Sequence, residues 1–111
     1  MKIKQGENKS FKFQIVNSEG VPSQEVVSDM VFTAEKTMPC GENVKIVKRL
    51  GDGIQFNPET YYYTMSFTPQ DTINVNSGAY PFDIKVKRGN LQYFVLLEGQ
   101  LKIIKSYTGV I

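Results

Sequence analysis

The chain is 111 residues long, 41% hydrophobic and 22% charged, with 13 basic residues against 11 acidic ones. That is the length of one domain with enough apolar content to bury a core, and a formal charge of +2 argues against nucleic acid as the main partner. It has no His, no Trp and one Cys, which excludes within this chain a Ser-His-Asp triad, a Cys-His pair, a His-bearing zinc site and an internal disulfide.

The opening residues Met1 to Glu7 carry no apolar run of the secretory type, and no window approaches the ~18 apolar residues of a membrane span. The expectation is a soluble chain made in the cytosol. Period-two alternation then recurs along the sequence. Phe11, Phe13 and Ile15 alternate with Lys12 and Gln14, and the turn Asn17-Ser18-Glu19-Gly20 with Pro22 ends that strand. Residues 21–28 are polar and irregular and predict a crossing loop. Met30, Phe32 and Ala34 predict a strand broken by Met38-Pro39-Cys40-Gly41, and Val44 and Ile46 predict another, ended by Gly51-Asp52-Gly53.

Ile54 and Phe56 make a short strand before Asn57-Pro58-Glu59. Tyr61, Tyr63, Met65 and Phe67 give the next apolar face. Thr68 as cap with Pro69 at the first helical position predicts a single helical turn at Pro69-Gln70-Asp71-Thr72. Tyr80, Phe82, Ile84 and Val86 alternate after Gly78, and Pro81 in their midst belongs at a strand start or a bulge. Arg88-Gly89-Asn90 turns the chain into Leu91, Tyr93, Val95 and Leu97. Gly99 marks a bulge or bend before Leu101 and Ile103. Seven or eight short strands and no crossover helix predict one all-β domain over 1–111, an antiparallel immunoglobulin-like β-sandwich without the buried tryptophan of antibody domains.

Few residues suggest chemistry. Cys40 lies in a loop with no histidine to activate it. Asp52, Glu59, Asp71 and Asp83 lack the spacing of a calcium loop and read as turn and cap residues. Lys85, Lys87 and Arg88, with Lys102 and Lys105 and the aromatic Tyr93 and Phe94, read as a solvated face guarded by lysine. Tyr61, Tyr62 and Tyr107 offer a platform for sugar in a third, carbohydrate-binding reading. The sequence predicts no enzyme, no cofactor and no metal.

The run Tyr93-Phe94-Val95-Leu96-Leu97 is apolar on both faces of its strand, so both faces need cover. If Tyr93, Val95 and Leu97 face the core, alternation sends Phe94 and Leu96 outward. Phe94 and Leu96, with Tyr62 beside them, are therefore the candidate protein interface.

The order Ile3-Lys4-Gln5-Gly6-Glu7, Val16-Asn17-Ser18-Glu19-Gly20-Val21-Pro22, Thr68-Pro69-Gln70-Asp71-Thr72, Gly78-Ala79-Tyr80-Pro81-Phe82-Asp83-Ile84 and Gly99-Gln100-Leu101-Lys102-Ile103 resembles one phage domain. It is the N-terminal domain of baseplate upper proteins and of related tail and head-fibre proteins, and the likeness spans nearly the whole chain. The resemblance implies a virion protein assembled in the host cytoplasm, with other virion proteins and copies of itself as partners. It brings no family active site. The family domain usually heads a longer chain, whereas here Ile111 closely follows the last strand, so the expectation is an adaptor, plug or decoration protein. A small phage-encoded inhibitor of a host protein is the alternative. In this reading the Tyr80 ring packs inward with its hydroxyl bonded back to the preceding corner, and Asp71 and Thr72 satisfy backbone N–H groups there.

Overall fold

The computed structural model describes residues 1–16, 19–20, 27–89 and 92–105, except the Phe94 side chain. Eight strands follow in chain order: β1 (Lys2–Lys4), β2 (Lys9–Gln14), β3 (Asp29–Thr37), β4 (Asn43–Leu50), β5 (Gly53–Asn57), β6 (Tyr62–Phe67), β7 (Gly78–Lys87) and β8 (Phe94–Ile104). One helical turn, α1 (Pro69–Thr72), lies between β6 and β7. The fold is all-β, as the alternation predicts.

The arrangement of the strands departs from an antiparallel sandwich. They form one sheet in the order β1-β8-β7-β3-β4-β5-β6-β2, curled into a nearly closed, barrel-like form. Two neighbouring pairs are parallel. β1 runs beside β8 with Ile3 opposite Ile103, and β5 runs beside β4 with Arg49 opposite Gly53. The second pair follows the turn expected at Gly51-Asp52-Gly53, where Gly51 and Gly53 stand at φ of +88° and +95° and loop the chain forward. Gly53 must also lack a side chain, since a β-carbon there would stand 2.6 Å from the stem of Lys48. β1 escaped sequence reading because three residues are too few to show a period.

The buried face follows the alternation closely. Met30, Phe32 and Ala34 of β3, Tyr63, Met65 and Phe67 of β6, and Tyr80, Phe82, Ile84 and Val86 of β7 are all buried. Phe32 meets Phe67 edge-on with ring centroids 5.8 Å apart, although three strand-to-strand steps separate β3 from β6 in the sheet. The sheet has therefore folded over its own apolar face. Burying each large side chain contributes about 1.5–3 kcal/mol.

The corner between β6 and β7 matches expectation at Asp71 and Tyr80, while Thr72 serves a backbone N–H from another segment. The Asp71 carboxylate accepts the Thr68 backbone N–H at 2.7 Å and the Lys48 ammonium at 2.7 Å. Thr72, fully buried, accepts the Gly6 N–H at 2.9 Å, and Gln5 donates to the Val75 carbonyl. The segment joining β1 to β2, the two ends of the sheet, is thus fastened to α1. Tyr80 packs inward and its hydroxyl donates to the Asn76 carbonyl at 2.6 Å.

Pro81 is the fourth residue of a central strand, and the exit of β3 explains why it is tolerated. Pairing between β3 and β7 begins one residue later, at Ala34 opposite Phe82. Beyond that point Lys36 of β3 reaches across to the Ala79 carbonyl. Gly99 shows no break in its ladder, so the bulge expected there is absent; the irregularity lies at Leu96. Of the predicted crossing loop at 21–28, only Val27, which is buried, and Ser28 belong to the described residues.

Candidate protein-interaction surface

The interaction surface begins with the register of β8. Ile84 pairs with Leu97 but Lys85 pairs with Val95, so Leu96 is the extra residue of a β-bulge. A bulge resets the alternation, so Val95 turns outward and Leu96 inward against the sequence expectation, while Leu97 keeps the inner side. Leu96 packs half-buried against the core, while Val95 and Leu97 are exposed at 46% and 50%. Tyr93, just before the strand, is 43% exposed. The exposed set is therefore Tyr93, Val95 and Leu97, which the alternation had placed inside, and of the two strand residues only Val95, opposite exposed Lys85, lies on the outer face. Phe94 pairs with Val86 in the ladder; its side chain lies outside the described residues.

Leu97 lies opposite buried Ile84, on the inner side of the sheet, yet it stays exposed because the core ends there. Beside it opens an apolar cleft of about 250 Å³, walled by the end of β2 and the residues after it on one side and by Leu96 and Leu97 on the other. Phe13, Ile15 and Val16 contribute from the first wall, and Val16 is half exposed. Tyr62, the third candidate, is exposed at the start of β6 and pairs with Gln14, which also lines the cleft. Tyr62 and Leu96 thus flank one feature, Leu96 as part of its wall and Tyr62 one strand away.

On the outer face the exposed apolar residues are set among fixed charges. The Tyr93 hydroxyl donates to Asp29, whose carboxylate also lies 3.5 Å from Arg49 Nε. Lys87 Nζ sits 5.6 Å from the centre of the Tyr93 ring. The hydrogen bond to Asp29 and the charge of that carboxylate raise the Tyr93 hydroxyl above its ordinary value, although Arg49 opposes them. Of the lysine-guarded face expected here, Lys85 is exposed, Lys87 and Arg88 are half-buried, and the carboxylates of Asp29, Asp83 and Glu98 share the face.

The chemical candidates are not gathered into a site. Cys40 is exposed in its loop. Asp71 is occupied by Lys48 and Thr68. Burial alone would raise its carboxyl, but those hydrogen bonds and the Lys48 charge outweigh burial and hold it below the usual carboxylate value. Among the described residues no cluster of three Asp, Glu or Cys is placed to hold a metal ion.

Neither protein-family models nor curated proteins match this chain.

Sequence reasoning missed one element of the surface, a hollow of about 440 Å³ on the outer face between β3, β7 and β8. Thr33, Glu35, Asp83 and Glu98 line it. The signal is spread over three strands distant in sequence, so only the register reveals it.

Proposed function

We propose that the chain is a non-enzymatic phage virion protein, a baseplate, tail or capsid adaptor that works by binding other protein surfaces. One observation carries the binding half of this reading: Leu97 and Val16 are half exposed on the two walls of one apolar cleft, while Val95 is exposed on the other face of the same strand. Exposed apolar side chains on a strand forgo burial and invite pairing, and a partner removes both liabilities. The phage half rests on the order of motifs along the sequence. An immunoglobulin-like layering, with the sheet divided into two facing halves, is the finer form of the same proposal; the contact of Phe32 with Phe67 supports it.

Mass spectrometry of purified virions tests the reading. Stoichiometric amounts of the chain in particles support it, and loss of the chain from particles when Val95→Glu and Leu97→Glu are combined in a folded variant assigns the contact to β8. Absence of the wild-type chain from particles overturns the virion assignment.

A further inference from the structure

We infer that the outer face of β4-β3-β7-β8 binds a second copy of this chain about a two-fold axis, with Lys85 of each copy entering the hollow beside Asp83 and Glu98 of the other. This names a partner for the outer face that carries Val95 and rests on the protein-binding reading just proposed. Two lateral rows of the face carry the argument. The strand registers align Arg49, Val31, Lys85 and Val95 in one row, and Val47, Thr33, Asp83 and Glu98 in the next. Neighbouring rows on one face lie about 7 Å apart.

Three of the four charges in these rows have no ion pair among the described residues of one copy. Asp83 and Glu98 stand directly opposite each other across β7 and β8. Like charges in that position are destabilising, and among the described residues no cation forms an ion pair with either. Lys85, exposed one row away, likewise forms none. The flanking carboxylates differ. Asp29 has Arg49 at 3.5 Å, and Glu35 has Lys45 opposite it and the Asn43 amide at 2.9 Å. Within these two rows the groups without an ion pair among the described residues are therefore one carboxylate pair and one lysine, in adjacent rows of the same face.

A second copy turned over about an axis lying in the face, between the two rows and parallel to them, exchanges the rows and keeps each strand over its counterpart. Lys85 then faces the partner's Asp83 and Glu98, and the partner's Lys85 faces the same pair in return. This is the reciprocity an isologous interface demands. Val47 and Val95, exposed at 48% and 46%, supply apolar contact around these charges. The hollow lined by Thr33, Glu35, Asp83 and Glu98 gives each lysine stem room to enter. The opposite choice of axis, along the strands, would bring Lys85 against Val31 and leave the carboxylates unanswered.

Sedimentation equilibrium on the folded chain and two charge reversals tests this. The wild type is a dimer at micromolar concentration, and raising salt weakens it. Lys85→Glu and Asp83→Lys each raise the dimer dissociation constant about tenfold or more, because each sets like charges face to face. Mixed together, the two variants dimerise with each other, since each then presents what the other lacks. Should Asp83→Lys fail to fold by circular dichroism, Glu98→Lys, at an exposed position, replaces it in the same mixture. A wild-type chain that stays monomeric at high micromolar concentration overturns the inference, as does dimerisation that neither reversal changes. Virion content is read separately: a monomer found in particles removes only the dimer, and a dimer absent from particles removes only the virion assignment.

Discussion

The Phe82 ring lies across the backbone of Gly99, so close that a β-carbon there would stand 2.9 Å from its tip. The two residues are partners in the β7–β8 ladder, and Phe82 is buried while its ring also meets Phe32 at 5.1 Å. The ring is held from the far side, so an added methyl group has nowhere to displace it cheaply.

Gly99→Ala should therefore destabilise the fold by about 1–3 kcal/mol, the usual range for overpacking. Chemical denaturation measures it, and the double-mutant cycle identifies the cause. In a Phe82→Leu background the same alanine should cost much less. An equal cost in both backgrounds would refute the assignment of this glycine to ring contact.

Reversed exposure along β8 predicts opposite results at adjacent residues. Leu96→Ala removes a side chain packed against the core and should lower the melting temperature clearly, whereas Val95→Ser should stay within about 0.5 kcal/mol of wild type. The reverse ranking would restore strict alternation and remove the bulge from the account.

How much of this was legible depends on how each residue is constrained. The buried sets of β3, β6 and β7 follow from alternation alone, because a strand with one apolar face has only one register that buries it. The Tyr80 bond to Asn76 and the Asp71 cap on Thr68 were legible because those partners lie within four residues, whereas the distant partners of the same corner, Lys48 for Asp71 and Gly6 for Thr72, were not. β8 was not. Its apolar run permits either face inward, and the deciding bulge depends on pairing with β7. The parallel neighbours β1–β8 and β4–β5 were equally hidden, since parallel register leaves no local turn signature.

Acid should expose the role of Asp71. Its carboxyl is held below the ordinary value in the folded chain, so the stabilisation is complete above the unfolded carboxylate range and is lost as pH falls through the lower, folded value. Asp71→Asn should cost about 1–2 kcal/mol near neutral pH, as a lost cap and a partly buried ion pair would. The difference from wild type should shrink in acid. Parallel urea titrations at neutral and strongly acidic pH check both, and a pH-independent difference would contradict the ionic origin.

Tyr80→Phe keeps the ring and deletes the donor to Asn76. It should cost about 0.5–1.5 kcal/mol, the net value of one hydrogen bond, with an unchanged denaturant slope. No change in midpoint would show that water replaces the hydroxyl without loss.

The parallel pairing of β1 with β8 has a kinetic meaning. Lys2 finds its neighbour at Lys102, so the ladder at this end closes a loop of nearly the whole chain. Long-range closure of this kind is entropically late and slows folding relative to local hairpins. Antiparallel neighbours such as β3–β4 and β7–β8 can zip early, while Ile3 waits in solvent for Ile103. Until that moment the outer edge of β8 is bare, and a nascent or heat-stressed chain presents it to any other strand. Aggregation during refolding should therefore start at this seam rather than at the buried middle of the sheet.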